Sequence, residues 1–310
     1  MAIASFSLPL TYYPSQTRWI SNKSPSYCCC SGSFEKPIVA PSSSSNCIAN
    51  KALQEIHNSG VIACLRAQNA DLANRAARAA LDGGISVGKF PYTYLYWKAA
   101  KLENIGGIFQ SLNEYLNQSI KRRSDSHYLL KLQLEIVVST PDAFEVLRNL
   151  VHDYPTKTFG VGTVLQAKDA KDSIKFGAKF LMSPATVMDI LVGVSEIDAL
   201  YIPGVMTPTE ILSAFSAGAK IVKVYPVSAL GGVGYISALK RPFSHIPMVA
   251  SQGITIDLIG QYIGHGASAV VLSDAIFDKE AMNQWNFDKI YQLASHAALQ
   301  GKQAVERPEC

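Results

Sequence analysis

The sequence predicts an α/β fold, a closed (β/α)8 or TIM barrel, on three observations. Short apolar runs rich in β-branched residues recur along the chain, and helical patterns fill the intervals between them. The runs are apolar throughout rather than alternating, as expected of a parallel sheet covered on both faces. Their number is eight, which favours a closed barrel. The rival arrangement, a doubly wound open sheet, lacks the Gly-x-Gly-x-x-Gly turn after the first strand.

The elements follow in order. Residues 1–46 are rich in Ser, Pro and Tyr, carry Arg18 and Lys23, and show no acid before Glu35. They contain no sustained apolar core of the secretory kind, and the composition is that of a transit peptide, with plastid favoured over mitochondrion. A merely disordered tail is the alternative. The barrel domain is expected over residues 47–310. Ala52–Ile56 reads as a short helix and Gly60–Arg66 as the first strand. Asp71–Leu81 reads as a helix stopped by Gly83-Gly84, after which Ile85-Ser86-Val87 starts a strand.

Residues 88–133 then break the rhythm. They hold aromatic clusters and the basic run Lys121-Arg122-Arg123, and the pattern resumes at Leu134-Glu135-Ile136-Val137-Val138. Joining Val87 to Leu134 would give one uninterrupted strand. The stretch is therefore expected to be foreign to the barrel, either a retained intron or a gene-model error, with a genuine docking insertion as the rival. Strands are expected further at Phe159–Val164, Phe180–Ser183, Leu200–Val205, Ile221–Tyr225, Pro247–Ser251 and Ala269–Ser273. Helices are expected at Pro141–Asp153, Ala167–Phe176, Val187–Val194, Pro208–Ala217, Val233–Leu239, Asp257–Ile263 and Trp285–Gln300.

Composition narrows the function. The net charge is +4, and no basic stripe with interleaved aromatics occurs, so nucleic acid is not an expected partner. No apolar run is long enough to span a bilayer, so no membrane partner is expected either. The six cysteines form no spaced set with histidines, and the six histidines are scattered. That pattern suggests neither a zinc site nor a disulfide framework.

The chemistry centres on Ile221-Val222-Lys223-Val224-Tyr225-Pro226, an apolar run with one lysine in its middle. Burial disfavours an ammonium, and a lysine driven toward neutrality is a nucleophile able to form a Schiff base. Alternatively, Lys223 points to solvent from an edge. Glu135 interrupts the second strand in the same way. The two read either as a structural buried pair or as a lysine nucleophile with a carboxylate acid/base. In a (β/α)8 barrel the site lies at the carboxyl ends of the strands. The polar residues expected there are Arg66, Glu135, Thr163, Ser183-Pro184, Lys223, Ser251-Gln252-Gly253 and Ser273. Gly253 and the start of the segment after Ser273 fall where such barrels commonly bind phosphate.

Several of these runs, in the same order, resemble the class I KDPG/KHG aldolases. Gly83–Val87 rejoined to Leu134–Pro141 resembles the second-strand motif of that family, and Val161-Gly162-Thr163-Val164 the third. Ser183-Pro184, Ile202–Glu210 and Lys223-Val224-Tyr225-Pro226 resemble the fourth, fifth and sixth. The resemblance spans about residues 51–277 without 88–133. It implies cleavage of 2-dehydro-3-deoxy-6-phosphogluconate to pyruvate and glyceraldehyde 3-phosphate. It further implies Lys223 as the imine-forming residue and Glu135 as the proton carrier. Arg66 and Thr163 would hold the carboxylate, Pro184 would shape the pocket, and Gly253 and Ser273 would receive phosphate. No metal or other cofactor is implied, because a protonated imine is itself the electron sink. The implied partner is a small 2-oxo acid, phosphorylated, and the implied assembly a homotrimer. The chain departs from the pattern at Ser139, Ala185 and Gln252, the last of which replaces a phosphate-facing glycine. An aldolase-like barrel with a regulatory or scaffold role is the alternative function.

Overall fold

A computed structural model describes residues 45–85, 132–194 and 199–306. The expectations for the amino-terminal segment up to residue 44, for Ser86-Val87 and for residues 88–131 of the anomalous stretch lie outside the described residues.

The elements are α1 (Ser45–Ser59), β1 (Val61–Leu65), α2 (Ala70–Ile85), β2 (Gln133–Val137), α3 (Ala143–Asp153), β3 (Phe159–Gly162) and α4 (Ala167–Lys175). They continue with β4 (Phe180–Met182), α5 (Met188–Val194), β5 (Leu200–Ile202), β6 (Gly204–Val205), α6 (Pro208–Ser216) and β7 (Val222–Val224). The last are α7 (Gly232–Lys240), β8 (Met248–Ser251), α8 (Ile259–Gly264), β9 (Ala269–Leu272), α9 (Lys279–Asn283) and α10 (Phe287–Val305). Every strand pairing is parallel, in the order β5-β4-β3-β2-β1-β9-β8-β7-β6.

The fifth strand, expected as one run, is two segments because of Pro203. Proline has no N–H to give to a ladder. Leu200–Ile202 pairs with β4, whereas Gly204–Val205 pairs with β7. The Pro203 carbonyl still accepts from the Lys223 N–H at 2.8 Å. The chain thus hands over from one neighbour to the other across a single residue, and the nine-segment ladder closes on itself there. Gly204 permits the handover: a Cβ at that position would lie 2.1 Å from the Pro184 carbonyl carbon.

Two apolar clusters follow from the strand alternation. Outward-facing residues such as Ala63, Leu134, Ile136, Val161, Leu181, Val222 and Ala250 pack under the helices. Inward-facing Ile62, Phe180, Met182, Leu200, Ile202, Ile221, Val249, Ala269 and Val271 fill the barrel together with Ala49, Ala52 and Ile56 of α1. The latter helix lies across the amino ends of the strands and touches β1, β2, β5 and β9. Its flanks are pinned to residues just before β3 and β7. Thr158 Oγ1 donates to Glu55, and Lys220 Nζ donates to Asn50 Oδ1 at 2.8 Å. The sequence pattern showed only the middle of this helix, because Ser45-Asn46 and His57-Asn58-Ser59 at its two ends are polar.

Two expectations near the second strand are corrected. Gly83-Gly84 does not stop a helix, and Ile85 closes α2 instead of opening a strand. The glycines serve close packing: a Cβ at Gly83 would lie 2.4 Å from the Tyr291 carbonyl oxygen of α10, and one at Gly84 2.6 Å from Leu132 Cβ. Gln133, expected as the end of the foreign stretch, belongs to β2 and pairs in register with Ile62. At the carboxyl end the expected last helix, Trp285–Gln300, is α10, and α9 precedes it where no helix was expected. Asp278 and Asn286 cap them through side-chain bonds to the N–H groups of Ala281 and Lys289.

Candidate active site

Period-two alternation places Lys223 on the same inward face as Ile221, and Glu135 on the same face as Gln133. Glu135 is 1% exposed and Lys223 8%. The solvent-pointing reading of the lysine is therefore excluded. The two side chains approach from opposite walls, since β2 sits between β1 and β3 while β7 sits between β6 and β8. They make no ion pair with each other among the described residues, so the reading as a closed structural pair does not hold. The Lys223 ammonium instead lies 5.3 Å from the centre of the Tyr225 ring, over its face.

The carboxylate has a prepared position. A Cβ at Gly162 would lie 1.7 Å from Glu135 Oε1, so only glycine leaves room for the acid where it stands. Gly160 makes the corresponding space for the Phe180 ring one layer earlier, where a Cβ would come within 2.1 Å of that ring. Oε2 of Glu135 is buried without a hydrogen-bond partner. An orphaned carboxylate oxygen inside a barrel is costly, and it is available to a substrate.

The other expected residues all lie at the carboxyl ends. Arg66 follows β1 and Thr163 follows β3, and both are exposed. Pro184 follows β4 and Ser273 follows β9, and both are partly buried. Gly253 follows β8, exposed, with φ 72°. Gln252 beside it takes φ 87°, a region that side chains other than glycine rarely adopt. Its amide oxygen accepts a hydrogen bond from Ser228 Oγ, in the short 3-10 helix Val227–Leu230 that follows β7. Glutamine therefore occupies the turn where the family resemblance implied a phosphate-facing glycine. Ser183 turns outward, donating to the Val164 carbonyl and accepting from the Tyr201 hydroxyl, so of that pair only Pro184 remains a candidate for the pocket wall. Among the described residues no group of three or more His, Cys, Asp and Glu is placed to hold a metal ion.

Sequence reasoning missed Cys64, Ser228 and the spacing glycines. Cys64 was legible in principle, since it stands two residues after Ile62 and so shares the inward face. Burial pushes its thiol well up. The Glu135 charge adds to that shift, while Lys223 and Arg66 oppose it.

Known proteins resemble this chain in sequence and in fold. The sequence profile of the KDPG and KHG aldolase family matches residues 130–293. The KHG/KDPG aldolase of Escherichia coli K12 is 27% identical over 164 residues, 53% of this chain and 77% of that one. The 2-dehydro-3-deoxy-phosphogluconate aldolase of Treponema pallidum is 30% identical over 132 residues, 43% of this chain and 63% of the other. Among solved structures, a KDPG aldolase from Legionella pneumophila, with pyruvate captured as a covalent carbinolamine, superposes with a TM-score of 0.60. Its identity is 20%, over 79% of this chain and 96% of that one. With the matched profile covering more than half its length, the chain belongs to the KDPG and KHG aldolase family and is an aldehyde-lyase.

Proposed function

We propose that the chain is a Schiff-base aldolase acting on 2-dehydro-3-deoxy-6-phosphogluconate or a related 4-hydroxy-2-oxo acid, and that Lys223 and Glu135 carry the reaction. The observation behind the reading is one lysine and one carboxylate, both buried, reaching from opposite walls into the same barrel interior. The Lys223 amine adds to the C2 carbonyl and water leaves, giving a protonated imine. Glu135 takes the C4 hydroxyl proton, the C3–C4 bond breaks, and its electron pair moves into the imine. The aldehyde departs and an enamine is left. Glu135 returns the proton to C3, and water releases pyruvate from Lys223. Arg66 and Thr163, at the ends of β1 and β3, hold the carboxylate in this reading. Pro184 shapes the wall, and Gly253 and Ser273 face the distal end of the substrate. The orphaned Oε2 of Glu135, on a buried carboxylate across the barrel from Lys223, supports catalysis over a scaffold role.

Borohydride reduction in the presence of pyruvate tests the reading directly. A pyruvate-derived mass on the Lys223 peptide is the expected result, and labelling elsewhere overturns it. Retro-aldol assays with phosphorylated and unphosphorylated 2-oxo acids then rank the substrates.

Two further proposals accompany the reading. The acid-poor, serine-rich segment 1–46 supports import into the plastid, which a reporter fused to that segment would test. Exposed Leu165, Met188, Val192, Met206 and Leu212, supplied by successive βα units, support self-association as a homotrimer. Sedimentation equilibrium would test it.

A further inference from the structure

Cys64 has no part in the reaction as written above, yet it stands beside the group that moves the proton. It pairs in register with Glu135 across β1 and β2. Residues in register on neighbouring strands stand about 4.8 Å apart, and both side chains face the interior. Cys64 packs there against the cluster that holds Ile62, Ile202 and Val271. The thiol feels Glu135 both through its charge and as a hydrogen-bond acceptor. The other charges acting on it are Lys223 from β7 and Arg66 at the end of its own strand. Burial and Glu135 together keep the sulfur protonated, so what stands beside the carboxylate is an S–H rather than a thiolate.

The surroundings give this contact a purpose. One oxygen of Glu135 lies against the bare backbone of Gly162, and the other has no partner. A carboxylate in that position needs something to fix its plane. A hydroxyl would do so strongly, but a strong donor stabilises the charged form and makes it reluctant to take a proton. A thiol is a weak donor.

We infer that Cys64 is a positioning residue for Glu135, its S–H steadying the carboxylate while leaving it free to exchange a proton with substrate. The inference rests on the reading of Glu135 as proton carrier.

Two variants of similar size separate positioning from packing. Cys64→Val removes the donor and is larger by about one methyl group, and Cys64→Ser replaces a weak donor by a strong one. Three properties are measured for each against wild type: borohydride trapping of pyruvate on Lys223, exchange of pyruvate methyl protons in D2O across pH, and KM for pyruvate. Trapping and KM are expected to hold in both. Proton exchange is expected to fall on the order of tenfold in Cys64→Val. Its acid limb should move to higher pH in Cys64→Val, because the charged carboxylate has lost a donor, and to lower pH in Cys64→Ser. Exchange at the wild-type rate with an unmoved limb in both variants would overturn the inference. So would limbs that move the same way with KM rising, which is the pattern of disturbed packing. If wild-type protein itself traps no pyruvate, the aldolase reading fails first. If it traps pyruvate and the variants match it, only the role of Cys64 falls.

Discussion

The barrel interior has an amino end and a carboxyl end, made by the same strands. At the amino end Ile62, Phe180, Leu200, Ile221 and Ala269 meet Ala49, Ala52 and Ile56 of α1, and the space is filled. Toward the carboxyl end the inward positions include Cys64, Glu135, Lys223 and Ser251. There Gly162 withholds a side chain so that a carboxylate has room. The difference shows how one parallel ladder supports both stability and chemistry. Packing at one end carries the apolar burial. At the other end, polar groups costly to bury can then be held without unfolding the barrel. Gln133 is the exception at the filled end. It is 3% exposed beside Ile62, and its side-chain oxygen has no partner.

The comparison breaks most completely at Lys223. Lys223→Met is expected to abolish pyruvate trapping and retro-aldol cleavage while the circular dichroism stays native, because a buried charge is replaced at similar volume. Next comes Glu135→Gln, which should fold and still trap pyruvate but lose roughly 10²-fold or more in proton transfer. Methyl exchange of pyruvate at the wild-type rate would remove Glu135 from the role.

Gly162→Ala joins the two ends of the comparison, since it changes packing in order to disturb chemistry. The added methyl would meet Glu135 Oε1. A displaced base can cost about 10²-fold in kcat, and the overpacking about 1–3 kcal/mol in stability. A variant with full activity would show that the carboxylate has a second workable position.

At the filled end the expected effects are on stability alone. Ile56 is fully buried where α1 enters the barrel. Ile56→Ala is expected to cost about 2–5 kcal/mol in denaturant unfolding with kcat unchanged. A matching fall in kcat would mean that the two ends are coupled. Gln133→Val sharpens the contrast from the other side. Removing an unsatisfied amide from an apolar layer should stabilise by about 1–3 kcal/mol. No gain would mean that the amide is satisfied in solution by water. The same variant bears on the residues before it: valine is what position 133 would become if Val87 were joined to Leu134.

Much of the barrel was legible because its strands are short apolar runs separated by amphipathic helices, a pattern that composition and spacing carry without contacts. Lys223 and Glu135 were legible for the same reason, as single charges inside apolar runs. The split at Pro203 was hidden because an apolar run looks continuous whether or not one residue can donate to the ladder. The role of Gly83-Gly84 was misread because a glycine that ends a helix and one that lets two helices touch look alike in sequence.

The sequence by itself therefore determined the class of fold, the strand ends on which the polar groups sit and the identity of the two buried charges. All of these follow from local periodicity and from the cost of placing a charge in an apolar run. Only the tertiary structure decided that the ladder closes at Pro203, that Glu135 and Lys223 come from opposite walls without pairing, and that Cys64 lies beside the acid. Those facts depend on register between strands far apart in sequence. The inward positions of neighbouring strands become neighbours only once the barrel has closed.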